Sequence, residues 1–191
     1  GALPIMLNYY GAHTGRFSGG DKLNLQNLPR NGAIRKAITV PEGDIMIACD
    51  SSQIEARMVA YIAGQDDLVQ AFREGRDVYS EFASEVYGKK VTKDDKIQRF
   101  VGKTCILGLG YGMGHVKFRA TLALGQGGIA VDIDENEAKR IVNLYRQKNH
   151  KIVSLWHSCG HALNGMVSGA SGNICELLPY DKDGITLPNG L

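Results

Sequence analysis

From Ile54 onward the apolar positions fall mainly at intervals of three and four residues, the spacing of a helix with one buried face. Ile54, Met58, Tyr61 and Ile62 form one such stripe, with Ser51 or Ser52 as its cap and Gly64 as its stop. A second helix is predicted around Leu68 to Arg73, ending at Gly75, and a third from about Asp77 to Tyr87, stopping at Gly88. Thr92 followed three residues later by Asp95 resembles a capping box and predicts a helix through Lys96 to about Leu109. Asp134 with Glu137 opens another, with Ile141, Tyr145, Ile152 and Trp156 at near-helical spacing. Earlier in the chain the pattern changes. Residues 11–32 are rich in Gly, Asn and Thr without a sustained period, which predicts a long loop region displaying polar side chains. Ile45-Met-Ile-Ala-Cys49 is a short apolar run after the turn Pro41-Glu-Gly-Asp44, and it predicts a buried strand that ends at Asp50. Asp181 to Leu191 reads as a turn and a strand. The mixture predicts an α+β protein that is mostly helical.

Composition narrows the class. At 191 residues, 43% hydrophobic and 22% charged, with 24 Gly and 5 Pro, the chain is neither disordered, collagenous nor a coiled coil, and it can bury a core without disulfides or a structural metal. Cys49, Cys105, Cys159 and Cys175 are scattered with no CxxC pair, which predicts a reduced, intracellular setting. No apolar run reaches the roughly 18 residues of a bilayer span, and the N-terminus lacks a signal-peptide pattern. The expected location is the cytoplasm (the host cytoplasm for a viral protein), with no membrane partner. Net charge is +2, but it is unevenly spread. Arg16, Lys22, Arg30, Arg35 and Lys36 stand against Asp21 alone in residues 1–40, a local +4 that leaves −2 for the rest. A polyanion held on one face would produce that asymmetry, and so would basic loops on a neutral enzyme. The chain starts at Gly1 and stops directly after Asn189-Gly190, a strong hairpin turn signal with no returning strand, which predicts an internal piece of a longer protein.

Three constellations carry candidate chemistry. Asp50-Ser-Ser-Gln-Ile-Glu55 places a carboxylate at the exit of the predicted strand, where a divalent cation or a phosphate can approach, with Glu55 about one turn into the next helix. The same residues also suit a helix cap and a first-turn acid favoured by the helix dipole. Arg99-x-x-x-Lys103 sets two cations on one helical face about 6 Å apart, with Leu107 and Tyr111 continuing the spacing. That stripe suits a triphosphate with a flat base beyond it, and a solvated basic face has the same spacing. Gly102-Lys103-Thr104 has the tail of a phosphate loop, but Ile97 stands where the pattern requires glycine. Gly108-Leu-Gly110-Tyr-Gly112-Met113 lacks the last glycine of the dinucleotide fingerprint. His157-Ser-Cys-Gly-His161 offers nitrogen and sulfur, but no second ligand pair stands at a finger-like spacing.

Taken in order, these blocks resemble the family A DNA polymerases, the bacterial polymerase I family with its phage relatives. Thr14-Gly-Arg-Phe-Ser18 and Asn24-Leu-Gln-Asn-Leu-Pro29 are similar to the segment that approaches the primer-template minor groove, which implies DNA contacts by Thr14, Arg16, Asn24, Gln26 and Asn27. Asp50-Ser-Ser-Gln-Ile-Glu-Ala-Arg57 resembles the first catalytic motif, and Arg99-x-x-x-Lys103 with Gly108-x-x-Tyr111-Gly112 resembles the fingers helix that grips the incoming nucleotide. Phe72-x-Glu-Gly-Arg-Asp77 and Ala83-x-Glu-Val-Tyr-Gly88 also fit, so the likeness runs nearly unbroken from about residue 11 to 120. It implies a fingers subdomain plus part of the palm of a right-hand polymerase fold: a partial palm over 1–63, helical fingers over 64–165, and a truncated return to the palm over 166–191. The implied reaction is DNA-templated transfer of deoxynucleotides from dNTPs to a primer 3′-hydroxyl with two Mg2+ ions, in phage or bacterial replication. Asp50 and the Ser51 carbonyl would bind metal, Arg99 and Lys103 would act in catalysis on the phosphates, and Gln53, Glu55, Tyr79, Leu107 and Tyr111 would complete the nucleotide site. Arg16 would take minor-groove acceptors common to every base pair. Primer-template DNA, dNTPs and replication accessory proteins are the implied partners.

The sequence departs from that pattern at three places. None of His13, His115, His150, His157 or His161 is followed by Asp, so the family's second metal carboxylate is not in the chain. Leu107 stands where bacterial relatives have Phe and some phage enzymes Tyr, and Tyr79 where bacterial enzymes carry a phosphate-contacting His. Those two residues and the compact spacing lean toward a phage enzyme, and the isolated fragment is expected to be inactive. The alternatives are a nucleotide-binding ATPase, weakened by Ile97, and a non-catalytic DNA-binding fragment in which Asp50 is only a cap.

Overall fold

The computed structural model describes residues 4–20, 24–29 and 32–190, so the expectations for Asp21, Lys22, Arg30 and Leu191 fall outside the described residues. The chain divides into two compact units, Gly1–Asp50 and Ser51–Leu191. It is mostly helical with four short strands among the described residues, as the α+β reading expected.

In the first unit β1 (Leu7–Asn8) pairs antiparallel with β2 (Ser18–Gly19), Leu7 facing Gly19. Tyr9 packs edge-on against Phe17 with ring centroids 5.6 Å apart. Among the described residues of the expected loop over 11–32, the regular elements are β2 and a single 3-10 turn at Leu25–Asn27, where the Asn24 side chain caps the Gln26 N–H at 3.0 Å. One short helix, α1 (Ala33–Lys36), follows. The expected buried strand at 45–49 does not form: Ile45 and Ile47 are 81% and 82% exposed, and no described residue pairs with the segment. A strand needs a neighbour for its backbone N–H and C=O groups, whatever its own side chains prefer.

The second unit is a helical body of α2 (Ile54–Ala63), α3 (Asp66–Arg73), α4 (Val78–Tyr87), α5 (Lys96–Thr104), α6 (His115–Leu124), α7 (Glu135–Lys148) and α8 (His150–Ser168). Gly64 and Gly88 end α2 and α4 in the left-handed conformation, φ 65° and 62°, where a side chain would strain the backbone. The α4–α5 contact is close because Gly102 lies against the Tyr79 carbonyl, where a Cβ would overlap it. Around that contact Phe82, Val101, Leu109, Phe118, Ile141 and Tyr145 form the core, each at most 2% exposed. Phe82 meets Tyr145 edge-on at 5.6 Å, a geometry worth about 0.5–1.5 kcal/mol beyond area burial.

Four sequence expectations need correction here. Neither Ser51 nor Ser52 caps α2; the cap position is Gln53, in the left-handed region at φ 58°, and the turn is braced by Arg57, whose Nε donates to the Ser52 carbonyl at 2.9 Å. The α2 stripe of Ile54, Met58 and Tyr61 faces outward, about half exposed, while Ala56 and Ala60 are buried. The small residues permit the close approach of α3 and α8 that longer side chains would block. Thr92 and Asp95 form half of a box: the Thr92 N–H and hydroxyl both donate to the Asp95 carboxylate, at 2.8 and 2.9 Å, but the helix begins only at Lys96. Ile141, Tyr145 and Ile152 are buried as their spacing implied, yet they lie on two helices. The break is Asn149, itself 2% exposed, with its side-chain amide donating back to the Tyr145 carbonyl at 3.1 Å.

The helix expected to reach Leu109 changes pitch instead. After Thr104 the backbone widens into a π turn over Cys105–Leu109 before Gly110, a form that is common at functional sites. At the tail, β3 (Gly172–Asn173) pairs antiparallel with β4 (Pro179–Tyr180), and the turn expected at Asp181 forms, its carboxylate accepting the Asp183 and Gly184 N–H groups. The strand expected after it is reduced to one bridge from Ile185 to Tyr180. Among the described residues no helix is long and apolar enough to cross a membrane.

Candidate functional site

The α5 helix and the start of α4 hold the densest set of predicted site residues. Arg99 and Lys103 lie one turn apart on α5, as their spacing requires. Their surroundings differ. Arg99 is bidentate to Asp77, Nε to Oδ2 at 2.8 Å and Nη2 to Oδ1 at 3.1 Å, and its guanidinium sits 5.2 Å from the Tyr79 ring centroid. Ser80 adds its hydroxyl to the same Asp77 oxygen at 2.7 Å. Burial by itself would raise the Asp77 carboxyl, but hydrogen bonds from Arg99 and Ser80 and the Arg99 charge outweigh it and hold the group below its ordinary value. The Tyr79 hydroxyl is pushed up by burial, opposed by the Arg99 charge and by a hydrogen bond with Gln53. Tyr79 therefore stands between Gln53, at the cap position of α2, and the Arg99–Asp77 pair at the α4–α5 contact.

Lys103 points to a different neighbourhood. Its Nζ donates to Gln126 Oε1 at 3.3 Å, and it lines an open pocket with Thr104, Leu107, Gly108, Met113 and Gln126. Gln126 stands on a tight hairpin whose backbone closes with Ile129 through paired bonds of 2.9 and 3.2 Å. Leu107, half-buried on the π turn, supplies the apolar part of that pocket. Tyr111 follows the π turn and is 58% exposed; an extra residue in the wide turn breaks the α spacing that put it on the Arg99 stripe. The π turn is anchored at its end by Trp156 of α8, whose indole N–H donates to the Gly110 carbonyl at 3.0 Å.

Glu55 is an exposed acid in the first turn of α2. In the first unit Thr14, Arg16, Gln26 and Asn27 are exposed, while Asn24 is half-buried and spends its side chain on the local cap. Gln26 donates to the Phe17 carbonyl at 3.1 Å, so it too braces its own loop. Asp50 is exposed at the end of that unit, and the Ser51 carbonyl at the start of the next receives only a 3.4 Å bond from the Ile54 N–H. Each separately offers an oxygen of the kind a hard divalent cation takes. Among the described residues no group of three or more His, Cys, Asp and Glu gathers to hold a metal. Sequence reasoning missed three contributors: Asp77 as the partner of Arg99, Gln126 as the partner of Lys103, and Trp156. Nothing periodic relates residue 77 to 99 or 103 to 126, so no local signal could have found them.

The chain is similar to known proteins. The model of DNA polymerase family A matches residues 5–167. The thermostable DNA polymerase I of Thermus aquaticus is 34% identical over 156 residues, covering 80% of this chain and 18% of that protein. DNA polymerase I of Chloroflexus aurantiacus is 38% identical over 117 residues, and that of Pseudomonas aeruginosa 42% over 106, covering 59% and 53% of this chain. The chain spans less than a fifth of the length of these relatives. The solved POL domain of Pol1 from M. smegmatis, in complex with DNA primer-template and dNTP, has a TM-score of 0.61 and 26% identity over 86% of this chain and 28% of its own. A family match across most of the chain, together with a fold like that of a solved polymerase domain, has one reading: the chain belongs to DNA polymerase family A.

Proposed function

We propose that the chain is part of the palm and the fingers of a DNA-directed DNA polymerase that extends a primer with deoxynucleotides, in phage or bacterial replication within the cytoplasm. The observation that carries this reading is the pair of cations one turn apart on α5, with Lys103 at the mouth of a pocket that Leu107 lines. The subdomains follow the proposed division: partial palm 1–63, fingers 64–165, and a return over 166–191. Primer-template DNA meets Thr14, Arg16, Asn24, Gln26 and Asn27, where an arginine reads acceptors present in every base pair. Replication accessory proteins are further partners of the complete enzyme. The Asp50 carboxylate and the Ser51 carbonyl are the groups that would hold Mg2+, and ions of this kind would lower the pKa of a hydroxyl and neutralise phosphate charge.

The residues of this chain do the positioning. Arg99 and Lys103 orient the triphosphate and stabilise charge that accumulates on its leaving oxygens, an effect that needs no reorganisation because both cations sit on a folded helix. Gln53 and Tyr79 close the phosphate end. Leu107 packs on the sugar and base, and Tyr111 stacks near the new pair. Glu55, in the first turn of α2, would fill the space that a ribose 2′-hydroxyl needs, held there by a hydrogen bond to Tyr111. A single metal carboxylate at Asp50 cannot hold two ions, so the 191-residue chain by itself is expected to show no primer extension. Leu107 and Tyr79 favour a phage origin, although the relatives named above are bacterial.

The test is Lys103→Ala in a polymerase that contains this segment. The single-turnover rate should fall at least about 10²-fold while DNA affinity changes little, since the lost contact matters most as charge builds. A normal rate removes Lys103 from catalysis. Magnesium-dependent dNTP binding by the chain itself separates this reading from a DNA-binding scaffold, and absence of ATP hydrolysis separates it from an ATPase.

A further inference from the structure

Arg99 is the more constrained of the two α5 cations, and its constraint has a direction. Asp77 takes the Nε and one Nη2 hydrogen of the guanidinium at 2.8 and 3.1 Å, while Tyr79 lies under its face at 5.2 Å. A guanidinium has five N–H donors in a rigid fork. The bidentate pair uses one edge of that fork and leaves the Nη1 donors for another acceptor. Asp77 is in turn fixed by Ser80 at 2.7 Å and is the less exposed member of the pair, 16% against 29% for Arg99. Tyr79 is 6% exposed, so the face under the guanidinium is packed into the helical body.

We infer that Asp77 is a positioning residue: it locks Arg99 against Tyr79 so that the remaining edge of the guanidinium meets the phosphates of the incoming nucleotide in one orientation. This rests on the nucleotide-polymerising reading above. The lock carries an opposing electrostatic effect, because a carboxylate beside the cation reduces the attraction for an anionic substrate. An orienting role and a merely structural one therefore predict different kinetics. If Asp77 orients Arg99, removing its charge leaves nucleotide binding as tight or tighter but slows the step that depends on alignment, since misplacement by about 1 Å can cost about 10²-fold. If Asp77 only supports the α4–α5 contact, its loss disturbs the fold, and binding and rate worsen together.

The experiment is Asp77→Asn in a polymerase that contains this segment, alone and combined with Arg99→Ala. The expected result is a kcat reduced about 10-fold or more with a KM for dNTP unchanged or lower, and less than a twofold further loss when Asp77→Asn is added to Arg99→Ala. Asp77→Glu, which keeps the charge, should recover part of kcat. In the 191-residue chain the 15N-labelled Arg99 Nε–H signal should be slow to exchange with water and become fast in Asp77→Asn, while the melting temperature stays within a few degrees. An unchanged kcat, additive losses with Arg99→Ala, or a KM that rises in step with a fall in melting temperature overturns the inference. A wild-type enzyme that incorporates no dNTP overturns the functional reading, and this inference with it.

Discussion

Residues 4–50 and the helices from Ile54 to Ser168 use similar side chains to different effect. Ile47 is 82% exposed in the first region, whereas Phe82 and Ile141 are 2% and 1% exposed in the second. Both regions carry strong local signals: an apolar run of five residues at 45–49, and stripes closed by glycines along the helices. The difference lies in where the backbone hydrogen bonds go. A helix closes them within its own segment, so a cap, a stripe and a glycine stop suffice to place it. A strand exports them to a neighbour, and no described residue pairs with 45–49. Stability in this molecule should therefore be concentrated in the second region, and substitutions can test that.

The largest effect is expected at Gly102. A Cβ there would overlap the Tyr79 carbonyl and come within 3.0 Å of the Ala83 Cβ, both on α4. Backbone cannot rotate away as a side chain can, so Gly102→Ala must separate α4 from α5. The expected loss is about 1–3 kcal/mol, the usual range for overpacking, read from urea unfolding of the chain. A variant as stable as wild type would mean that α4 and α5 do not touch at this point. Separating the two helices also moves Arg99 from Asp77, so the Arg99 Nε–H signal should broaden in the same variant.

The helical part was largely legible before its structure was. Gly64 and Gly88 stop α2 and α4 where their positions implied, and Asp134 caps α7 by accepting the Glu137 N–H at 2.8 Å. What was not legible depends on neighbours. The buried face of α2 is set by which residues allow α3 and α8 to approach, so Ala56 and Ala60 went inward and the bulkier Met58 and Tyr61 outward. The division between α7 and α8 depends on Asn149, whose side chain replaces the lost turn by bonding the Tyr145 carbonyl. For the site, the four-residue spacing of Arg99 and Lys103 was readable because both stand on one helix. Asp77 and Gln126 were not, because tertiary packing alone brings them there.

A smaller effect, of known sign, comes from Cys105 at the start of the π turn. The thiol is fully buried, which pushes it well above its ordinary pKa, and burial raises the adjacent core phenol of Tyr145 as well. Because the folded state binds this proton more tightly than the unfolded state, the contribution is complete below about pH 8.5, where both forms are thiols. Above that the unfolded thiol ionises first, and stability falls by up to about 1.4 kcal/mol per pH unit for this one group. Cys105→Ala should flatten the curve between about pH 8.5 and 10, with Tyr145 contributing only beyond that. Unfolding midpoints measured across this range check it, and parallel curves for the two proteins would contradict it. Iodoacetamide gives a companion reading: exposed Cys49 should be alkylated in the native chain, and Cys105 only after unfolding.

The smallest effect is expected at Ile47, and it bears most directly on the contrast between the two regions. Ile45, Met46 and Ile47 are 81%, 61% and 82% exposed, so an apolar side chain there removes little of its area from water. Burying an isoleucine is worth about 1.5–3 kcal/mol, and a side chain left four-fifths exposed keeps only a small part of that. Ile47→Thr, which preserves β-branching and strand propensity while adding a hydroxyl, should change stability by no more than about 0.5 kcal/mol in the 191-residue chain. It should also improve solubility, because a contiguous apolar segment with unpaired backbone invites association between copies. The same substitution at Ile141, 1% exposed in α7, replaces part of a packed apolar side chain with a hydroxyl in the core and should cost several times more. Equal losses at the two positions would mean that 45–49 is packed in solution as a core strand, and the contrast between a self-contained helix and a dependent strand would fail where it is most explicit.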